Sequence, residues 1–204
     1  MGLEPTTFWM QTRRSSQLSY VPVNGNHQAT HPGIRWHGRP ASRQAGPMLE
    51  PDHLQRYAEA HVAVLAALGG ITPAELDRRP APDCPTAREV VHHLADSETR
   101  SYLRLRTLLA ADNAFIEPYD EAAWAAETRL GYATHPIEPS LAVLVAVRHS
   151  SHELLRTLDP EALTRVGHHP EHDRPYTLAL WLEIYSEHPY VHADQITRAR
   201  RGER

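Results

Sequence analysis

A single cysteine, Cys84, stands among 204 residues. It cannot close an intrachain disulfide, so the fold must rest on a packed core, and a cytoplasmic home is expected. No run of eighteen apolar residues occurs, which gives no membrane span, and no leader pattern of basic, apolar and small residues opens the chain. Positive charge is not in excess: 21 Lys and Arg against 25 Asp and Glu leave a net charge of -4. That balance argues against a general nucleic-acid or anionic-membrane binder. Acidic residues are missing from one stretch, since none follows Glu4 before residue 47. Residues 1–47 are instead rich in Gly, Pro, Ser, Gln, Asn and Arg, without helical or alternating periodicity. They are expected to be a flexible or non-native N-terminal arm, with the folded domain running from Met48 to Arg204.

What the chain has in quantity is 15 histidines and 17 prolines. The count alone decides nothing, because many histidines fall in loops (His27, His31, His37, His135). Their placement on helices carries more weight. From 52 to 68, Leu54, Tyr57, His61, Val64, Leu65 and Leu68 share one helical face behind a capping Asp52, and Gly69-Gly70 ends the run. Thr72-Pro73-Ala74-Glu75 opens a short helix by a capping box. Pro80, Pro82 and Pro85 then form a stiff connection holding Cys84, which is expected to be an ordinary thiol.

Thr86 caps a second long helix to about Ala111, with Val90, Leu94, Tyr102, Leu105 and Leu109 on its apolar face and His93 on or beside it. Residues 112–137 read as a crossover with a short helix capped by Asp120. A third long helix is expected to start at Ser140; Arg148 interrupts its apolar stripe and is expected at the surface, with an anion contact as the other role. His168-His169-Pro170-Glu171-His172-Asp173 is expected to be a solvated loop. Thr177 begins the last long helix, to about residue 199, in which Pro189 interrupts the hydrogen-bond ladder.

His188 and His192 are four apart and therefore face one way, one turn apart. That spacing lets both offer nitrogen to one metal ion, and His93 is the candidate third ligand from another helix. Three histidines leave positions open for water or substrate, and imidazole suits zinc or nickel. No HExxH arrangement is present, which removes the zincin reading. By itself the His-x-x-x-His pair is equally a pair of partly buried histidines bonded to their helix neighbours.

Several segments in order carry a wider resemblance: Val90-Val91-His92-His93-Leu94-Ala95-Asp96-Ser97; Tyr102, Arg104 and Arg106; Ile116, Pro118-Tyr119-Asp120-Glu121 and Trp124-Ala125; Arg148; His169-Pro170-Glu171; and His188-x-x-x-His192-x-x-Gln195-Ile196. Over residues 50–200 the chain resembles the DinB-like superfamily, in its YfiT-type branch of metal-dependent hydrolases. The resemblance implies an all-α, up-down four-helix bundle with additional short helices, paired as a homodimer. It implies a divalent metal held by His93, His188 and His192, with Glu98 where relatives often carry another histidine. The expected activity is hydrolysis of a small-molecule substrate by metal-activated water, with Asp96 or Glu187 orienting a ligand or moving a proton, and with Arg148 meeting an anionic part of the cosubstrate in the thiol-transfer alternative. The alternatives are a low-molecular-weight-thiol S-transferase, with the thiol as cosubstrate, and a non-enzymatic metal-binding stress protein.

Overall fold

The computed structural model describes residues 51–204, with side chains from His53 onward. The expected arm and the domain start at Met48 lie outside these residues, as does the Asp52 side chain expected to cap the first helix. Four long helices dominate: α1 (Pro51–Leu68), α3 (Ala87–Ala110), α5 (Glu138–Leu155) and α6 (Leu178–Arg201), with short helices α2 (Pro73–Leu76) and α4 (Glu121–Ala126) and two 3-10 turns between them. The starts are local chemistry. Thr72 and Thr86 close capping boxes with Glu75 and Glu89, while Asp120, Asp159 and Thr177 each accept a hydrogen bond from a backbone N–H of the first turn. Gly202 ends α6 in the left-handed conformation, φ 74°, which a Cβ would strain. α5 starts two residues before the expected Ser140, with Pro139 in its first turn. The Ser140 hydroxyl instead meets His92 Nδ1 at 2.8 Å.

The order of helices around the bundle is α1, α6, α3, α5, so each consecutive pair of long helices except α3 and α5 sits on a diagonal. Cross-bonds give the directions. Arg56 meets Glu187 and Arg200 meets the Ala67 carbonyl, so α1 and α6 run parallel. His92 meets Ser140, Glu98 meets Arg148 and Arg106 meets Ser150, so α3 and α5 run parallel too. Arg104 meets Tyr185 while Trp181 Nε1 donates to the Ser101 carbonyl, and His93 lies beside His192, so α3 and α6 are antiparallel. This up-down-down-up order refines the expected up-down bundle. It also explains the long 111–137 crossover: parallel neighbours need a connection that returns the full helix length.

A three-stranded sheet, absent from the sequence expectation, closes one end. β1 (Ala114–Phe115) pairs in parallel with β2 (Val166–His168), which pairs antiparallel with β3 (Tyr176–Thr177). Strands of two and three residues are too short to carry an alternation signal. Gly167 allows the close approach, since a Cβ there would stand 2.9 Å from Ile116 Cγ1.

Among the described residues, the core has two large apolar parts. At the sheet end, Tyr57, Leu105, Leu108, Ile116, Leu155, Tyr176, Leu178 and Trp181 pack together; at the other end, Val64, Leu68, Val90, Val91, Leu94, Leu144 and Ile196 do. Each large side chain there contributes about 1.5–3 kcal/mol by leaving water. Besides His93 and His192, the polar side chains buried on the long helices include Ser97, Glu98, Ser101, Arg148, Ser151 and Ser186.

Candidate metal centre

Antiparallel packing of α3 on α6 brings His93 against His188 and His192. One ligand atom from each lies within 4.8 Å of the other two. His192 Nε2 and His188 Nε2 face each other at 3.0 Å, and the His93 ring centroid is 4.8 Å from that of His192 and 5.7 Å from that of His188. His93 and His192 are buried, and His188 is partly open. Burial first, and then the neighbouring imidazoles, hold the pKa of His93 well below its usual value and that of His192 at about 3. Both rings are therefore neutral at pH 7, with lone pairs available. His192 Nδ1 donates to Gln195 Oε1 at 2.8 Å, which leaves its Nε2 as the unprotonated nitrogen aimed at the cluster. Two imidazole nitrogens facing one another this closely, with a third ring beside them, form a donor set suited to one divalent cation of the zinc or nickel type.

None of the other expected site residues joins the imidazole cluster itself. Asp96, one turn beyond His93, accepts a 2.5 Å hydrogen bond from Tyr132 Oη, and burial raises its carboxyl pKa against that bond. With His92, Tyr132, His135 and Ser140 it lines a cavity of about 200 Å³. Glu187 faces outward in a two-bond pair with Arg56, at 2.6 and 2.7 Å, and is not brought to the three imidazoles. Arg148 is not a surface residue. It is 1% exposed and bonded to Glu98 at 2.7 Å, to the Tyr185 carbonyl at 3.2 Å and to the Tyr57 carbonyl. A buried guanidinium needs a buried anion, and Glu98 is that anion. The anion-contact role expected of Arg148 is thus met by the protein's own carboxylate.

Cys84 is buried, and burial followed by the Asp83 charge raises its thiol pKa, which keeps it a thiol rather than a nucleophilic thiolate. The 168–172 loop is not wholly solvated: His169 is 5% exposed, its Nδ1 accepts from the Glu171 N–H, and its ring lies 5.4 Å from that of Tyr176.

Two residues at the centre were not anticipated. Gln195 had a signal, because it lies three residues after His192 on the same helical face. Glu98 had none. It is five residues from His93, off the face of that histidine, and reaches His188 only because α6 crosses α3 there.

A family model described as the DinB superfamily matches residues 56–196. YfiT of Bacillus subtilis, named a putative metal-dependent hydrolase, is 34% identical over 148 residues, covering 72% of this chain and 82% of that protein. A relative of the same description from Oceanobacillus iheyensis is 38% identical over 112 residues, 55% of this chain; the match spans 63% of that relative, less than two thirds of its length. The solved structure of Bacillus subtilis YfiT, described as a probable metal-dependent hydrolase with an unusual four-helix bundle topology, superposes with a TM-score of 0.69 at 31% identity, covering 80% of this chain and 93% of that one. With the model spanning most of the chain and the bundle shared, this chain belongs to the DinB superfamily, in the branch that YfiT represents.

Proposed function

We propose that this protein is a metal-dependent hydrolase whose divalent ion, zinc or nickel, is held by His93, His188 and His192. The observation that carries the reading is the convergence of three imidazoles, two of them with Nε2 atoms 3.0 Å apart. Once bound, the ion would supply Lewis acidity, lowering the pKa of water and polarising a substrate carbonyl. The protein's own groups do the rest. Gln195 fixes the His192 tautomer. Asp96, its pKa raised by burial and its carboxylate oriented by Tyr132, is the proposed proton acceptor, and the cavity beside it is the proposed place for a small-molecule substrate. Glu187 and Arg148 have no part in this chemistry, being bound to Arg56 and Glu98.

The companion proposals are a cytoplasmic homodimer, with exposed Val62 and Leu65 on α1 supplying apolar surface for the pairing, and residues 48–204 as the folding unit. Light scattering on the full chain, and on a version beginning at Met48, tests both.

Metal analysis, followed by ester and amide hydrolysis assays on zinc- and nickel-loaded protein with and without low-molecular-weight thiols, tests the main reading. The expected result is about one ion per chain and hydrolysis without added thiol. Turnover that requires the thiol would move the assignment to S-transfer. Binding without any turnover would leave a metal-binding protein.

A further inference from the structure

Among the buried polar atoms that make no hydrogen bond with any described residue are His188 Nδ1 and Glu98 Oε2. An unmatched buried polar atom costs on the order of 1–3 kcal/mol, so two on neighbouring side chains call for a reason. They belong to neighbouring groups, with Glu98 Oε1 3.8 Å from His188 Nδ1. That is too long for a hydrogen bond, and a ring tilt of about 1 Å would make one.

The carboxylate is held at this level by a chain of residues that can be followed atom by atom. Pro189 has no N–H, so the carbonyl four residues earlier, that of Tyr185, loses its helical donor. Arg148 Nη1 donates to that freed carbonyl at 3.2 Å and to Glu98 Oε1 at 2.7 Å. The guanidinium is also bonded to the Tyr57 carbonyl and lies 4.0 Å over the Tyr57 ring. Glu98 is thus held by Arg148, which is itself anchored on α1 and α6, and its Oε1 is set 3.8 Å from the ring nitrogen of His188 that faces away from His192.

Tautomers give this placement a purpose. Gln195 takes the Nδ1 proton of His192, so His192 Nε2 is an acceptor. Across the 3.0 Å contact, His188 Nε2 must then be the donor, and the His188 proton sits on the nitrogen that a metal would need. To ligate through Nε2, His188 must carry its proton on Nδ1, where Glu98 is the acceptor at hand. We propose that Glu98, clamped by Arg148, is a positioning residue that selects the metal-binding tautomer of His188. This rests on the metal-centre reading. It assigns to the buried pair a role in building the ligand set rather than in meeting substrate.

The test is zinc affinity by chelator competition for the wild type, Glu98→Gln, His188→Ala and the double variant, with the melting temperature of each metal-free protein as a control for folding. In Glu98→Gln the introduced amide would turn its oxygen to Arg148 and its NH2 to His188, favouring the wrong tautomer. The expected result is an affinity loss of about 10- to 100-fold in Glu98→Gln and no further loss when it is added to His188→Ala. Wild-type affinity in Glu98→Gln, or an equal loss in both backgrounds, overturns the role of Glu98 while leaving the metal centre standing. Absence of zinc binding by the wild type overturns the metal reading itself, and this inference with it. Imidazole nitrogen NMR on the zinc-loaded wild type needs no variant: a hydrogen-bonded Nδ1 proton on His188 supports the proposal, and an unprotonated Nδ1 overturns it.

Discussion

Among the described residues, two clusters of buried or half-buried histidines are built on different principles. At the α3–α6 crossing, His93, His188 and His192 point ring nitrogens at one another, with 3.0 Å between two Nε2 atoms. At the sheet end, His169 and His172 stack edge to face at 4.7 Å and pack on Tyr176, with His169 Nδ1 occupied by the Glu171 N–H. Both clusters hold imidazoles neutral through burial, with His169 and His192 each at a pKa of about 3. The difference is where the lone pairs go. Converging nitrogens make a ligand set, whereas rings used as flat packing surfaces make a wall. Burial and a depressed pKa therefore do not mark a site; direction does.

The largest test of this contrast is all-or-none. Replacing His93, His188 or His192 with alanine should take bound metal, measured after dialysis, from about one ion per chain to near zero. His169→Ala and His172→Ala should leave it unchanged. Near-normal metal content in all three of the first variants would dissolve the distinction.

Next in size is the clamp under the first cluster. Arg148→Ala strands Glu98, which is fully buried, and should destabilise metal-free protein by about 3–5 kcal/mol in urea unfolding. A change below about 1 kcal/mol would mean that water reaches Glu98.

Acid stability is shared by both clusters. His93, His169 and His192 have folded-state pKa values below the ordinary 6.5 because burial disfavours the imidazolium. The unfolded chain therefore binds more protons than the native one below pH 6.5. Stability is fully present above that pH and is lost as pH falls from about 6.5 toward 3. Urea midpoints of metal-free protein should drop steadily between pH 7 and 5, and His169→Asn should flatten the slope. A flat profile in the wild type would show that the rings are solvated.

The smallest effect is expected at the wall. His169→Ala removes one ring from the Tyr176 stack and the acceptor for one N–H, which should cost about 1–2 kcal/mol without altering metal affinity. A loss of metal there would link the two clusters after all.

Much of this was legible in the chain itself. The four long helices announce themselves by periodicity and by threonine caps at Thr86 and Thr177, because capping and amphipathic spacing are local properties. The pairing of His188 with His192 is equally local, fixed by the turn of the helix at about 3.6 residues. His93 was a candidate from its place on an apolar helix, and the family resemblance tied it to the pair through the order of its motifs, not through geometry. The short sheet was not legible, because strands this brief are defined by partners far along the chain, as Ala114 is by Gly167. Nor was Arg148: a charged residue within an apolar stripe reads as surface unless its counter-ion is known, and Glu98 sits 50 residues earlier on another helix.

The sequence by itself therefore determined which segments coil, where they start and which histidines share a face, since each depends on neighbours a few bonds away. Only the tertiary structure decided which faces meet. The diagonal order of the bundle sets α6 antiparallel to α3, so that His93 reaches the His188–His192 pair and Glu98 comes beneath it. That arrangement depends on which apolar surfaces bury one another across the whole chain, and no spacing within one helix encodes it.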